Sequence, residues 1–317
     1  MMATREGMTI IEALLMILID IIAPIFILIG LGYLVQLKFK LDLSTLAKLN
    51  IYLLAPGFIF NRLYHTELNL ELFGTVIGFL IVFAFIVFII SQLLAKVLHM
   101  PKEKQTIFTN SGMFINSGNY GIPVNDLVFQ GDPFAMSIQV LMLTFQNIFL
   151  FSYGIFSLNK NQKGKLRALL GYFRMPVLYA LLAGILFNYF NIDLPNVIIV
   201  PTDYIANAMV AFALTTLGAQ VAVINVKSAM IDVYMSLLLR LLIGPMVAYL
   251  IILVTGLDGV MAQALFIGSA MPTSVNSAII AQEYSQYKDY ASQVVLVSTL
   301  CSSVTVSVII YLSGYLF

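Results

Sequence analysis

The chain has 317 residues, of which 61% are hydrophobic and only 10% charged, and its formal net charge is +1. Soluble domains are about half apolar and about a quarter charged, so this apolar excess needs lipid around it, and a soluble enzyme, a nucleic-acid binder and a disordered chain are excluded. A single cysteine, Cys301, excludes an internal disulfide and a cysteine metal cluster.

A membrane helix takes about 20 residues plus a loop, so the length fits roughly ten crossings. The first apolar run, Met8 to Val35, carries Glu12, Asp20 and Pro24. It is too long for the core of a signal peptide and is read as a retained first span. The expected spans cover 10–35, 45–63, 72–98, 104–130, 134–157, 175–191, 203–224, 231–254, 260–284 and 291–316. The fold class is therefore an all-α membrane protein.

Alternating the spans from an outside N-terminus sorts the basic residues. Lys38, Lys40, Lys48, Lys96, Lys102, Lys104, Lys160, Lys163, Lys165, Arg167, Arg174, Lys227 and Lys288 fall inside. Arg5 and Arg62 fall outside, and Arg240 stays within a span. The positive-inside rule then places both termini outside and the central loop in the cytoplasm of a cell-membrane protein. That basic linker, 159–174, separates a first five-helix repeat, 1–158, from a second, 175–317. An odd span number per half makes the two halves insert in opposite senses, the inverted-repeat plan of many secondary transporters. One faint internal echo supports it: Pro24 precedes Gly32 by eight residues, as Pro176 precedes Gly184.

The fourth and ninth spans are not plain apolar runs. The fourth holds Asn116-Ser117-Gly118-Asn119-Tyr120-Gly121-Ile122-Pro123, and the ninth holds Gly268-Ser269-Ala270-Met271-Pro272-Thr273-Ser274-Val275-Asn276-Ser277. Proline removes a backbone donor and glycine loosens the helix. Unpaired backbone at membrane depth must be buried in protein or face a wet cavity. Half-helix N-termini favour anions and C-termini favour cations. Asn116 and Asn119 share a helical face, and Thr273, Ser274 and Asn276 add neutral polar groups. Tight helix packing by small residues also explains one such span. Two in matched positions point to a binding site for a carboxylate, shaped by Pro123 and Pro272.

These elements, with Tyr52-Leu53-Leu54-Ala55-Pro56, Ala281-Gln282-Glu283-Tyr284 and Leu296-Val297-Ser298-Thr299-Leu300, resemble the auxin efflux carrier family. The chain is similar to its short prokaryotic members, which are related to the plant PIN transporters. The resemblance covers essentially the whole chain. It implies two inverted repeats crossing at the fourth and ninth helices, and a scaffold of the first, second, sixth and seventh. It also implies a mobile transport domain, a homodimer, and elevator-type efflux or exchange of organic anions such as malate or malonate. The chain departs from the plant pattern in two places. Asn119 stands where a further proline is expected, and the central loop is short.

Charges within spans carry open readings. A mid-span arginine costs about 2.5–3.5 kcal/mol on insertion scales, so Arg240 needs a partner. It either neutralises substrate, pairs with Asp126, or forms a structural ion pair. Asp126 is that mate or a proton-coupling site. Asp20 is a proton site or a solvated residue. Glu283 suits a surface or gate role. Gln139, Gln146 and Asn147 line the cavity or join helices by hydrogen bonds. No GxxxxGK[ST] or HExxH motif is present, and neither cofactor nor metal is expected. The expected partners are a small organic anion, lipid, and a proton or sodium as coupling ion. Two rival readings stand beside this: a sodium- or proton-coupled symporter of an apolar anion, similar to bile-acid transporters, and a sensor or channel without a transport cycle. No nucleophile–base or paired-carboxylate arrangement supports an enzyme.

Overall fold

The computed structural model describes residues 9–65, 70–158, 176–224 and 231–317. The basic linker 159–174, Lys227 and Arg5 lie outside the described residues. What is described is helical, with one isolated backbone bridge. Seven described helices are long and apolar enough to cross a membrane. They are α1 (Ile10–Phe39), α2 (Leu43–Tyr64), α3 (Leu70–Val97), α6 (Pro133–Leu158), α8 (Asn196–Ala222), α9 (Ile231–Thr255) and α12 (Lys288–Leu316). The shorter helices are α4 (Lys102–Met113), α5 (Ile122–Phe129), α7 (Pro176–Tyr189), α10 (Gly259–Ser269) and α11 (Val275–Tyr284). α4 with α5 occupies the expected fourth span, α7 the sixth, and α10 with α11 the ninth.

Three of the long helices accommodate proline without breaking. Each carries a π-helical turn just before it: 18–22 before Pro24, 50–54 before Pro56, and 238–243 before Pro245. Proline cannot donate, and its ring crowds the preceding turn. The wider turn shifts bonding by one residue, so that Ala23 donates to Leu18, Ala55 to Asn50 and Gly244 to Leu239. The backbone stays paired at membrane depth, as lipid demands. At the surface, Asp42 caps α2 by accepting from the Ser44 and Thr45 amides. The Thr45 hydroxyl, followed by the Ser44 amide, holds the Asp42 carboxyl below the usual carboxylate range.

Two packed groups result. α1, α2, α7 and α8 pack on one another, α1 against α8 and α7 against α2. Both contacts run through glycine. A Cβ on Gly32 of α1 would lie 2.0 Å from the Thr215 carbonyl oxygen of α8, and one on Gly184 of α7 would lie 3.0 Å from the Leu63 Cβ of α2. Gly32 and Gly184, the glycines of the Pro24…Gly32 and Pro176…Gly184 echo, thus both lie at close helix crossings. The second group holds α3, α6, α9 and α12 around the broken pairs α4–α5 and α10–α11.

Candidate functional site

The two broken helices meet at their breaks. Ile115 and Thr273 form an antiparallel bridge. The Asn116 amide donates to the Pro272 carbonyl at 2.9 Å, and the Ser274 amide donates to the Phe114 carbonyl at 2.9 Å. Backbone freed by one break is therefore satisfied by the other, which is how non-helical chain survives in a buried membrane position. Side chains complete the junction. The Thr273 hydroxyl donates to the Ser111 carbonyl at 3.0 Å. Gln146 on α6 accepts from the Ile115 amide at 3.2 Å and donates to the Met113 carbonyl at 3.4 Å. Gln139 donates to the Ser117 carbonyl at 2.7 Å.

On one side of the junction lies a small pocket of about 50 Å³. Asn116, Ser117 and Asn119 line it from the first break, and Ser274, Val275 and Asn276 from the second. These residues open the π-helical turn 117–121, which leads into α5, and the first turn of α11. First-turn amides have no partner within their own helix and carry the positive end of its dipole. Across the pocket stand Asn50 of α2 and Gln220 of α8. Asn50 donates to the Asn119 side-chain oxygen at 3.0 Å. Three buried amide atoms of this lining have no hydrogen-bond partner: Asn116 Nδ2, Asn50 Oδ1 and Gln220 Oε1. A buried unpaired polar atom costs about 1–3 kcal/mol, so these three, one donor and two acceptors, are the unmet polar groups of the lining. None of the lining side chains is ionised in type.

A wider vestibule adjoins it and shares Ala47, Ile51, Gln220 and Val275 with the pocket lining. Lys48, Lys288 and Asp289 stand on its wall. It lies at the basic ends of the helices.

The expected site residues divide into three sets. Asn116, Asn119, Ser274, Asn276, Gln146 and Asn147 line the pocket. Pro123, Pro272, Thr273 and Gln139 lie outside its lining, and the last three hold the junction behind it. Arg240, Asp126 and Asp20 lie elsewhere. Asp20 is exposed on the π-helical turn of α1, and Asp126 is half-buried on α5.

The pairing of Arg240 with Asp126 requires correction. Arg240 is fully buried, and its guanidinium donates from Nη1 to the Gly112 carbonyl at 2.5 Å and from Nη2 to the Ser269 carbonyl. Backbone carbonyls at two helix ends, rather than a carboxylate, supply the partner that an arginine in a span needs. Asn50 and Gln220 are pocket residues that lie outside both break motifs. Each is an amide within an otherwise apolar span, and that was the available signal.

A family model described as membrane transport protein matches residues 17–310. A protein of Methanothermobacter thermautotrophicus named "Uncharacterized transporter" is 24% identical over 301 residues, 90% of this chain and 95% of its own. A "Putative malonate transporter" of Rhizobium meliloti is 26% identical over 138 residues, 43% of each chain.

Proposed function

This chain belongs to the membrane transport protein family, the membership expected from its resemblance to auxin efflux carriers, and on that premise we propose that it is a secondary transporter of small organic anions. It is a multi-pass membrane transporter and not an enzyme. The observation that carries the substrate class is the buried, unpartnered Asn116 Nδ2, set in a neutral pocket between two first turns. The Asn116 donor and two positive helix ends suit a carboxylate, whose charge they stabilise without a fixed cation. The name of the Rhizobium relative agrees with that class.

The ten-span inverted-repeat plan, with halves 1–158 and 175–317, accords with the mirrored contacts of Gly32 and Gly184. The group of α1, α2, α7 and α8 serves as scaffold. The group carrying both breaks moves against it in an elevator-type cycle, and the pocket lies where the groups face each other. With the basic ends in the cytoplasm and both termini outside, the vestibule opens inward. The protein then sits in the cell membrane as an inward-facing carrier, and by the family resemblance as a homodimer.

The test is a thermal-shift panel on purified protein with malonate, malate, other short carboxylates, indole-3-acetate and a bile acid, in sodium and in potassium. A ligand at 100 times its Kd stabilises the fold by about 2.7 kcal/mol. A shift with a short carboxylate in both salts is expected. A shift with the bile acid alone and only in sodium makes the protein an apolar-anion symporter, and no shift with any acid overturns the substrate class.

A further inference from the structure

Arg240 joins the C-terminal ends of both half-helices that lead into the breaks. Gly112 lies in the last turn of α4, and Ser269 is the last residue of α10. One fully buried guanidinium donates to both carbonyls. No carboxylate of the described residues lies within ion-pair distance of it. The Phe83 ring stands 5.7 Å from the guanidinium carbon and covers it. A Cβ on Gly244 would lie 2.8 Å from Nη2, so the glycine one turn on leaves the group its room.

The charges balance without an acid. A helix C-terminus carries the equivalent of about half a negative charge. Two such ends sum to about one, the charge of one guanidinium. In transporters built on broken helices, these C-terminal ends and unwound carbonyls are where a coupling sodium or proton is held, while the N-terminal ends face the anionic substrate. Here the N-terminal ends border the pocket, and the opposite ends are already filled by a side chain.

We propose that Arg240 is a tethered stand-in for a coupling cation, a positioning residue that locks both breaks and leaves the carrier independent of alkali cations. The inference deepens the transport reading and rests on it. With a covalently held cation, the anion site stays assembled whether or not sodium is present.

The test needs no substrate, so it stands apart from the substrate panel. Ligand-free wild type, Arg240→Lys and Arg240→Met are melted in sodium, potassium and choline chloride at equal ionic strength. Wild type is expected to melt at one temperature in all three salts, and Arg240→Lys to do the same at a lower one. Arg240→Met is expected to melt lowest in choline and to gain a shift that sodium gives and choline does not. A sodium-specific rise in wild type overturns the proposal, as does Arg240→Met melting like wild type in choline. If Arg240→Met does not fold, the wild-type and Arg240→Lys series decide. A cation-blind pair supports the proposal and a sodium-specific shift in either overturns it.

Discussion

The backbone amide of Asn116 donates to the carbonyl of Pro272, and with that bond each break becomes the other's hydrogen-bond partner. The residues are 156 positions apart in the chain, so the site exists only when both halves are folded together. It also separates two roles within one side chain's neighbourhood. The Asn116 main chain holds the junction, while its Nδ2 stays unpaired in the pocket.

Asn116→Ala removes that side-chain donor and keeps the main-chain bond. A hydrogen bond to a charged group contributes about 1.5–3 kcal/mol. The variant is therefore expected to bind the responsive carboxylate about 10- to 100-fold more weakly, with its ligand-free melting temperature close to wild type. Titration of both proteins with malonate by calorimetry checks this, and unchanged affinity removes Asn116 from the site.

Gln146→Leu is expected to act on the fold as well. Gln146 accepts from the Ile115 amide and donates to the Met113 carbonyl, and it is buried. Leucine leaves both backbone groups unpaired, at about 1–3 kcal/mol each. The ligand-free protein should melt several degrees lower. Gln146→Glu keeps the acceptor for Ile115 and should recover part of the loss. Equal melting of the leucine variant and wild type would show that water replaces the amide.

Gly218→Ala addresses the scaffold. A Cβ there would lie 1.9 Å from the Ile29 carbonyl oxygen of α1, a contact with backbone that no rotamer relieves. Forcing α1 from α8 is an overpacking change of about 1–3 kcal/mol or more. The expected result is a clear fall in melting temperature and yield. Gly78→Ala on α3 has nothing within 4 Å of the new Cβ and should leave both unchanged.

Much of this architecture was legible in the residues. The apolar runs placed the long helices, because a bilayer selects for length and hydropathy. The breaks at Asn116–Pro123 and Ala270–Asn276 were legible because glycine and proline have one effect on a helix wherever they sit. Arg240 was legible as a problem but not as its solution. Sequence shows acids as its possible partners, whereas its actual partners are the carbonyls of Gly112 and Ser269, and every residue has a carbonyl. Thr273 and Gln139 have the chemistry of site residues, yet their polar groups are spent on Ser111 and Ser117. Only tertiary pairing separates a polar group that is used from one left for a ligand. Asn50 and Gln220 line the pocket because α2 and α8 close its far wall.

The proposed inward-facing state gives the last prediction. Cys301 is the chain's single cysteine and is exposed, so a Cys301→Ser background is free of thiols. Ala47 lies on both pocket and vestibule, and Asn276 lies on the pocket alone. Ala47→Cys and Asn276→Cys are placed separately in that background and treated with a membrane-impermeant thiol reagent. Both should react in inside-out vesicles and stay protected in right-side-out vesicles. Malonate should slow the reaction at 276 several-fold more than at 47, because 276 faces the pocket alone whereas 47 is also reached from the vestibule. Labelling from the outer face alone would reverse the proposed orientation, and protection at 47 without protection at 276 would place the anion in the vestibule instead of between the breaks.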